Sequence, residues 1–240
     1  LALFHAITIG TGIELVLTAG PTQRVEVSAA AADLRDYILT TVTGEVLSIH
    51  YQNPADRGYG STSQHAPATK QLRVAFTADQ LTALSAGSGA LVSVTDHFAA
   101  PGFQLEVESG ASCQAADLVV SVLVVRQSSG STVRLGGQAP RFDLRIANGS
   151  TFSGEARQTD RSQVEASNGS TVRLAVRETL LAEASSGASV RYLGSPAITE
   201  MVRSGGSGGG GRARLLALPP PPLPQVVSSL SGFHRLRKGK

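Results

Sequence analysis

A turn centred on glycine returns at nearly constant spacing through the second half of this chain. It occurs as Ser109-Gly110, Ser129-Gly130, Asn148-Gly149, Asn168-Gly169 and Ser186-Gly187, at intervals of 20, 19, 20 and 18 residues. A weaker earlier copy is Gly87-Ser88-Gly89, and Gly205 follows Gly187 by 18 residues. A period of this length is too short for a propeller blade or a helical-repeat unit. It leaves room for short β-runs and tight corners, the content of one coil of a parallel β-helix.

Aligning the copies on that glycine produces columns. Three residues after it stand Cys113, Val133, Phe152, Val172 and Val190, all apolar. Two residues after it stand Ser112, Thr132, Thr151, Thr171 and Ser189, all hydroxylic. Three before it stand Val107, Gln127, Ile146, Ala166 and Ala184, where Gln127 alone breaks the pattern. Four before it every residue is charged: Glu106, Arg126, Arg145, Glu165 and Glu183. Alternation with period two sends one set inward and the other to solvent.

The fold class read from this pattern is all-β: a right-handed, single-stranded parallel β-helix-like solenoid with coils of about 20 residues. Successive coils would lie about 4.8 Å apart, so equivalent residues stack in ladders. Gly110, Gly130, Gly149, Gly169 and Gly187 are the structural turn glycines, placed at corners where the left-handed conformation is needed. Residues 81–205 form this repeat part. Residues 1–80 read as a less regular β-rich part of the same domain, with Phe4–Thr18 an extended pair around Gly10-Thr11-Gly12. Strands are expected at Arg24–Ser28, Val46–Tyr51 and Gln71–Phe76, a short helical or turn piece over Ala29–Leu39, and a polar loop over Asn53–Thr69. Residues 206–240 read as a Gly/Pro-rich basic tail lacking fixed structure, with the polyproline run Pro219–Pro224 inside it.

Charge divides along the same line. The chain carries a formal +3, but residues 206–240 hold six bases and no acid, leaving the body at −3. The basicity therefore belongs to the tail, and a nucleic-acid partner for the body is not expected. Charged residues are 16% of the chain and glycines number 26, which argues against a helical bundle. One cysteine, Cys113, excludes an internal disulfide. The longest apolar run, Leu118–Val125, is too short to span a bilayer as a helix. The chain opens at Leu1-Ala2-Leu3-Phe4, already strand-like, so it is either cytosolic or has lost a leader.

The string Phe4-His5-Ala6-Ile7-Thr8-Ile9-Gly10-Thr11-Gly12-Ile13-Glu14-Leu15-Val16-Leu17 resembles the opening of a bacterial family, the putative auto-transporter adhesin, head GIN domain. The later strand, Ser-Gly-Ser, strand units resemble its recurring element. Arg191-Tyr192-Leu193-Gly194-Ser195-Pro196 resembles the Tyr-x-Gly-x-Pro piece near its end. The resemblance covers about residues 1–205. It implies an exported β-helical protein of the bacterial cell envelope, located in the periplasm, on the outer membrane surface or outside the cell. It implies a removed or missing export signal, and it transfers no site residues.

Few residues carry chemistry. Gly205-Gly206-Ser207-Gly208-Gly209 has the spacing of a nucleophile elbow but lies in a glycine tract without the strand and helix that mechanism requires. His5, His50, His65, His97 and His234 are scattered, without metal-ligand spacing, and no cofactor is expected. Asp117, Asp143 and Asp160 share no column, unlike the clustered carboxylates of polysaccharide-cleaving β-helices. The charged ladder is read as cross-coil pairing, Glu106 with Arg126 and Arg145 with Glu165. A second outward column runs through Gln114, Arg134, Ser153, Arg173 and Arg191. Its arginines, Arg134, Arg173 and Arg191, are the candidate ligand-facing residues, suited to an acidic group such as a glycan carboxylate. Asn148-Gly149-Ser150 and Asn168-Gly169-Ser170 match the glycosylation sequon but read as turns.

Two functions follow from these features. The first is a non-enzymatic cell-envelope adhesion or binding module, its partner an extracellular glycan or surface protein. The second is a structural β-helix that self-assembles end to end through its unpaired edges. A polysaccharide-acting enzyme ranks third.

Overall fold

The recurring glycine corner is made by two consecutive residues with positive φ. The computed structural model describes residues 3–19, 24–29, 35–52, 70–76, 81–203 and 214–219. Ser109 and Gly110 have φ of 53° and 73°, and Asn148 and Gly149 have 56° and 70°. The same pair recurs at Ser88-Gly89, Ser129-Gly130, Asn168-Gly169 and Ser186-Gly187, and already at Thr11-Gly12. The Ala111 N–H closes its turn by donating to the Glu108 carbonyl at 3.0 Å. This is the type I′ geometry, for which Asn-Gly is the favoured sequence. The corners also bond to one another. Gly110 N–H donates to the Ser129 carbonyl at 2.9 Å, Gly130 N–H to Asn148 at 3.0 Å and Gly149 N–H to Asn168 at 2.9 Å.

The strands are β1 (Ala6–Ile9), β2 (Glu14–Ala19), β3 (Arg24–Ala29), β4 (Ile38–Thr43), β5 (Val46–Tyr51), β6 (Lys70–Phe76), β7 (Ala83–Ala86), β8 (Leu91–Val94), β9 (Phe98–Val107) and β10 (Ser112–Gln127). They continue as β11 (Thr132–Gln138), β12 (Arg141–Ile146), β13 (Thr151–Gly154), β14 (Arg157–Gln158), β15 (Arg161–Ala166), β16 (Thr171–Ala175), β17 (Thr179–Ser185), β18 (Ser189–Leu193), β19 (Ala197–Arg203) and β20 (Arg214–Ala217). Strands that enter a corner stack in parallel as face one, in the order β5, β1, β7, β9, β10, β12, β15, β17, β19. Strands that leave it stack as face two: β6, β2, β8, β10, β11, β13, β16, β18, β20. A shorter third face joins the start of β9, the middle of β10, the end of β11 and β14. The result is an all-β solenoid of about six turns with coils of about 20 residues.

The N-terminal part is in phase with the rest, which its sequence conceals. β1 and β2 form a regular coil around Thr11-Gly12. The chain then leaves the solenoid and lays β5 and β6 on the far side of that coil before returning to β7. β4 pairs antiparallel with β5 through the hairpin Gly44-Glu45, and β3 pairs antiparallel with β6. The helical piece expected over Ala29–Leu39 is corrected at both ends, since Ala29 closes β3 and Ile38 opens β4. The polar loop 53–69 lies outside the described residues, as does most of the tail. Within the described part of the tail, Arg214–Ala217 forms β20, with Leu215 continuing the inward column beyond Val190.

Inward positions are filled by ladders of apolar side chains. Leu15, Val92, Cys113, Val133, Phe152, Val172 and Val190 are buried beneath face two. Leu105, Val125, Leu144, Val164 and Ala182 are buried beneath face one. Each large apolar side chain so buried contributes about 1.5–3 kcal/mol. Phe142 and Phe152 stack across the interior with ring centroids 5.1 Å apart. Gln127, the exception in its column, is also buried. Its amide donates to the Thr151 carbonyl at 3.1 Å and to the Ser131 hydroxyl at 3.3 Å, which in turn meets Ser150 at 3.3 Å. A small polar ladder thus replaces an apolar one at the corner.

Candidate binding surfaces

Parallel, in-register pairing fixes where the outward side chains stand. On face two, Gln114 is registered with Arg134, Arg134 with Ser153, Ser153 with Arg173, and Arg173 with Arg191. Their inward neighbours are buried, so the five side chains project to solvent on one line. Arg134 and Arg173 are exposed and Arg191 is half-buried. A parallel line of hydroxyls, Ser112, Thr132, Thr151, Thr171 and Ser189, runs beside them. Neither line contains an acid. No ion pair or side-chain hydrogen bond engages Arg134, Arg173 or Arg191 among the described residues. Arg173 and Arg191 sit one coil apart, about 4.8 Å along the axis, and repel by roughly 1 kcal/mol in water.

On face one the charged ladder is in register across five coils, from Glu106 through Arg126, Arg145 and Glu165 to Glu183. The expected pairing of Arg145 with Glu165 is formed, Nε to Oε2 at 3.1 Å, with a second contact from Nη2 to Oε1 at 3.4 Å. The expected pairing of Glu106 with Arg126 is not: no ion pair joins them among the described residues. Two exposed side chains gain little from pairing and lose rotamer freedom to do it. The ladder lines a groove of about 470 Å³ running along the stack, whose lining also includes Ser128, Ser167 and Ser185.

Other titratable groups are dispersed. His97 Nδ1 lies 2.7 Å from Asp117 Oδ2 on an exposed part of the third face. Asp143 lies 3.6 Å from Arg141, and Asp160 lies 3.6 Å from Arg177. Among the described residues no group of three or more His, Cys, Asp or Glu is placed to hold a metal ion. The sequence Gly205–Gly209, with His65 and His234, falls outside the described residues. Asn148 and Asn168 use their side chains at the corner, the Asn168 amide donating to Asn148 Oδ1 at 3.0 Å.

One consequential residue escapes a reading of columns. Arg157 is buried, at 1% exposure, without a carboxylate partner. Its guanidinium donates to the carbonyls of Gly136 at 3.0 Å and Leu118 at 3.1 Å, and more weakly to Gln138 at 3.4 Å. Burial lowers its pKa to about 10, so it stays cationic at neutral pH. The cause lies two coils earlier, where Ala116 and Asp117 together oppose Gly136, a bulge that interrupts the ladder. Arg157 serves the carbonyls at that irregularity. The only sequence signal is the Gly136-Gly137 pair, which lets the backbone at the bulge come close to Ala116 and Leu118 of the preceding coil.

The fold recurs in solved structures. A putative adhesin from Bacteroides fragilis superposes with a TM-score of 0.74 at 14% identity, covering 90% of this chain and 93% of its own. A putative adhesin from Parabacteroides distasonis gives 0.68 at 14% identity, covering 91% and 94%. A second protein from that organism, described as a putative lipid binding protein, gives 0.65 at 13% identity with coverage of 91% and 94%. No curated protein matches the sequence. At these identities the likeness speaks for the fold. The sequence itself matches one family over residues 3–196, which include the regular coil β1–β2, the antiparallel additions and the repeats through β18. The chain therefore belongs to the family described as putative auto-transporter adhesin, head GIN domain.

Proposed function

We propose that this protein is an exported module of the bacterial cell envelope that binds an acidic, repetitive glycan through face two. The observation that carries the reading is the line Arg134, Ser153, Arg173, Arg191, registered coil on coil beside a line of Ser and Thr hydroxyls. Guanidinium groups recognise carboxylates with paired hydrogen bonds, and hydroxyls serve the neighbouring sugar oxygens. A polymer of repeating acid units would meet repeating partners, so modest contacts add along its length. We read binding rather than catalysis because the hydroxyl line, with three arginines among the five positions beside it, repeats its chemistry along the axis. Family membership supports the cell envelope as the compartment.

The test is binding of the full chain to immobilised polyuronate across a range of salt concentrations. Binding should weaken with salt, and the Arg173→Ala, Arg191→Ala double variant should bind about ten-fold or more weakly, since each lost contact is worth of the order of 1 kcal/mol. Unchanged binding by the double variant would overturn the assignment of face two. Because one protein of like fold is named a putative lipid binding protein, vesicles of anionic lipid form a second arm. Binding to vesicles alone would move the ligand from glycan to headgroup.

A further inference from the structure

The last coil differs from the coils it covers. β19 pairs with β17 and β20 with β18, and neither has a second strand partner among the described residues. Both are therefore terminal edges of parallel sheets, and such edges are templates on which another chain can add strands. Beneath face one the inward column is apolar and buried through Val125, Leu144, Val164 and Ala182. Its next position is Glu200, registered with Ala182 and exposed at the end of the molecule. The flanking inward residue Ile198, registered with Leu180, is 42% exposed. On face two, Leu215 covers Val190. No base occupies an inward register position of this coil among the described residues. The opposite end is bordered differently, by β3 and β4, each antiparallel to the strand it pairs with.

We infer that the coil formed by β19 and β20 is an end cap, and that Glu200 keeps a second copy of this chain from stacking onto it. A copy added there would enclose the Glu200 carboxylate between two apolar layers without a cation, a state that burial makes unfavourable. Two copies meeting tail to tail would bring their Glu200 carboxylates together. Repeat proteins in general need terminal units that differ from the interior ones to remain soluble. Growth into a filament, the self-assembling alternative read from the sequence, is thus opposed at the β19–β20 end.

Sedimentation of the full chain across a wide concentration range tests the inference. The unmodified protein should stay monomeric. Glu200→Val should self-associate at least about ten-fold more tightly, while Glu200→Lys, which keeps a charge at the position, should remain monomeric. Glu200→Thr repeats the neutral case with a residue that strand edges tolerate, and circular dichroism verifies the fold of each variant. Association of the unmodified protein would overturn the inference. So would natively folded Val and Thr variants that stay monomeric, or a Lys variant that associates as they do.

Discussion

The glycines of this chain are required for two different physical reasons. At the type I′ corners a Cβ on Gly130 would meet nothing within 4 Å, so the demand is purely conformational, set by a φ of 73°. At the third-face corner a Cβ on Gly137 would lie 2.4 Å from the Leu118 carbonyl oxygen and 2.6 Å from its nitrogen. Gly130→Ala should therefore cost about 1–2 kcal/mol, with Gly130→Asn milder, since Asn tolerates the left-handed region. Gly137→Ala should cost distinctly more, because the coils must move apart to accept it. Thermal unfolding of the three variants decides this, and equal losses for the two alanine variants would contradict the distinction. Cys113 offers a second test at this scale. Burial pushes its thiol pKa from 9.0 up to about 12. Above pH 9 the unfolded chain releases this proton and the folded chain keeps it, so stability falls as pH rises from about 9 towards 12 and is unaffected below. The slope is at most about 1.4 kcal/mol per pH unit. Cys113→Val, which matches Val92 and Val133 on either side, should flatten the difference between unfolding free energies at pH 8 and pH 10. An unaltered slope would show that other groups set it.

At the scale of elements, the third-face corner around Arg157 is held by charge-assisted bonds to carbonyls rather than by a continuous ladder. Replacing a buried ion by an apolar side chain is sometimes neutral or stabilising. Here the carbonyls of Leu118, Gly136 and Gln138 would lose their guanidinium donor. The expected result for Arg157→Met is a loss of about 3 kcal/mol, within the range for buried groups left unpaired. Arg157→Lys should recover only part, since a single nitrogen would replace two, Nη1 and Nη2, that share the three carbonyls. A Met variant as stable as the parent, measured by denaturant unfolding, would show the guanidinium to be dispensable. This corner also marks the limit of what the sequence makes legible. The type I′ corners and the outward Arg134–Arg191 line can be read directly, because they depend on local φ and on strict alternation, both written in residue type. The Arg157 corner depends on a bulge two coils away, and no local pattern encodes that. The first coil was obscured for another reason. Its corner, Thr11-Gly12, lies 77 residues before Gly89, the next corner glycine, because β3 to β6 intervene, so periodicity cannot join them. Pairing of Glu106 with Arg126 failed because sequence adjacency in a ladder says which charges are near, not whether freezing them is favourable.

Over the whole molecule, coupling runs in one dimension. Each strand of the repeat pairs only with its neighbours in the stack, so a coil in the middle links two halves that touch nowhere else along the sheets. Phe152 lies in such a coil, registered with Val133 on one side and Val172 on the other. It is fully buried, its ring stacks on Phe142, and it fills space that a side chain on Gly154 would otherwise take, a Cβ there falling 2.7 Å from the ring. Phe152→Ala should cost about 3–5 kcal/mol by transfer and cavity terms together. In a globular core that loss would lower one cooperative transition. In a stack it weakens a single interface, and repeat proteins lose cooperativity when one interface falls below its neighbours. The expected outcome is a split: coils from β15 to β19 open before those from β1 to β9, whose end is secured by the antiparallel strands β3 and β4. Hydrogen exchange read by peptide mass should then show faster opening of residues 161–203 in the variant, with protection of residues 81–107 little changed. The mutation acts at β13, between these two blocks, so a uniform loss of protection would mean that the coils are coupled over longer range than neighbour contacts allow.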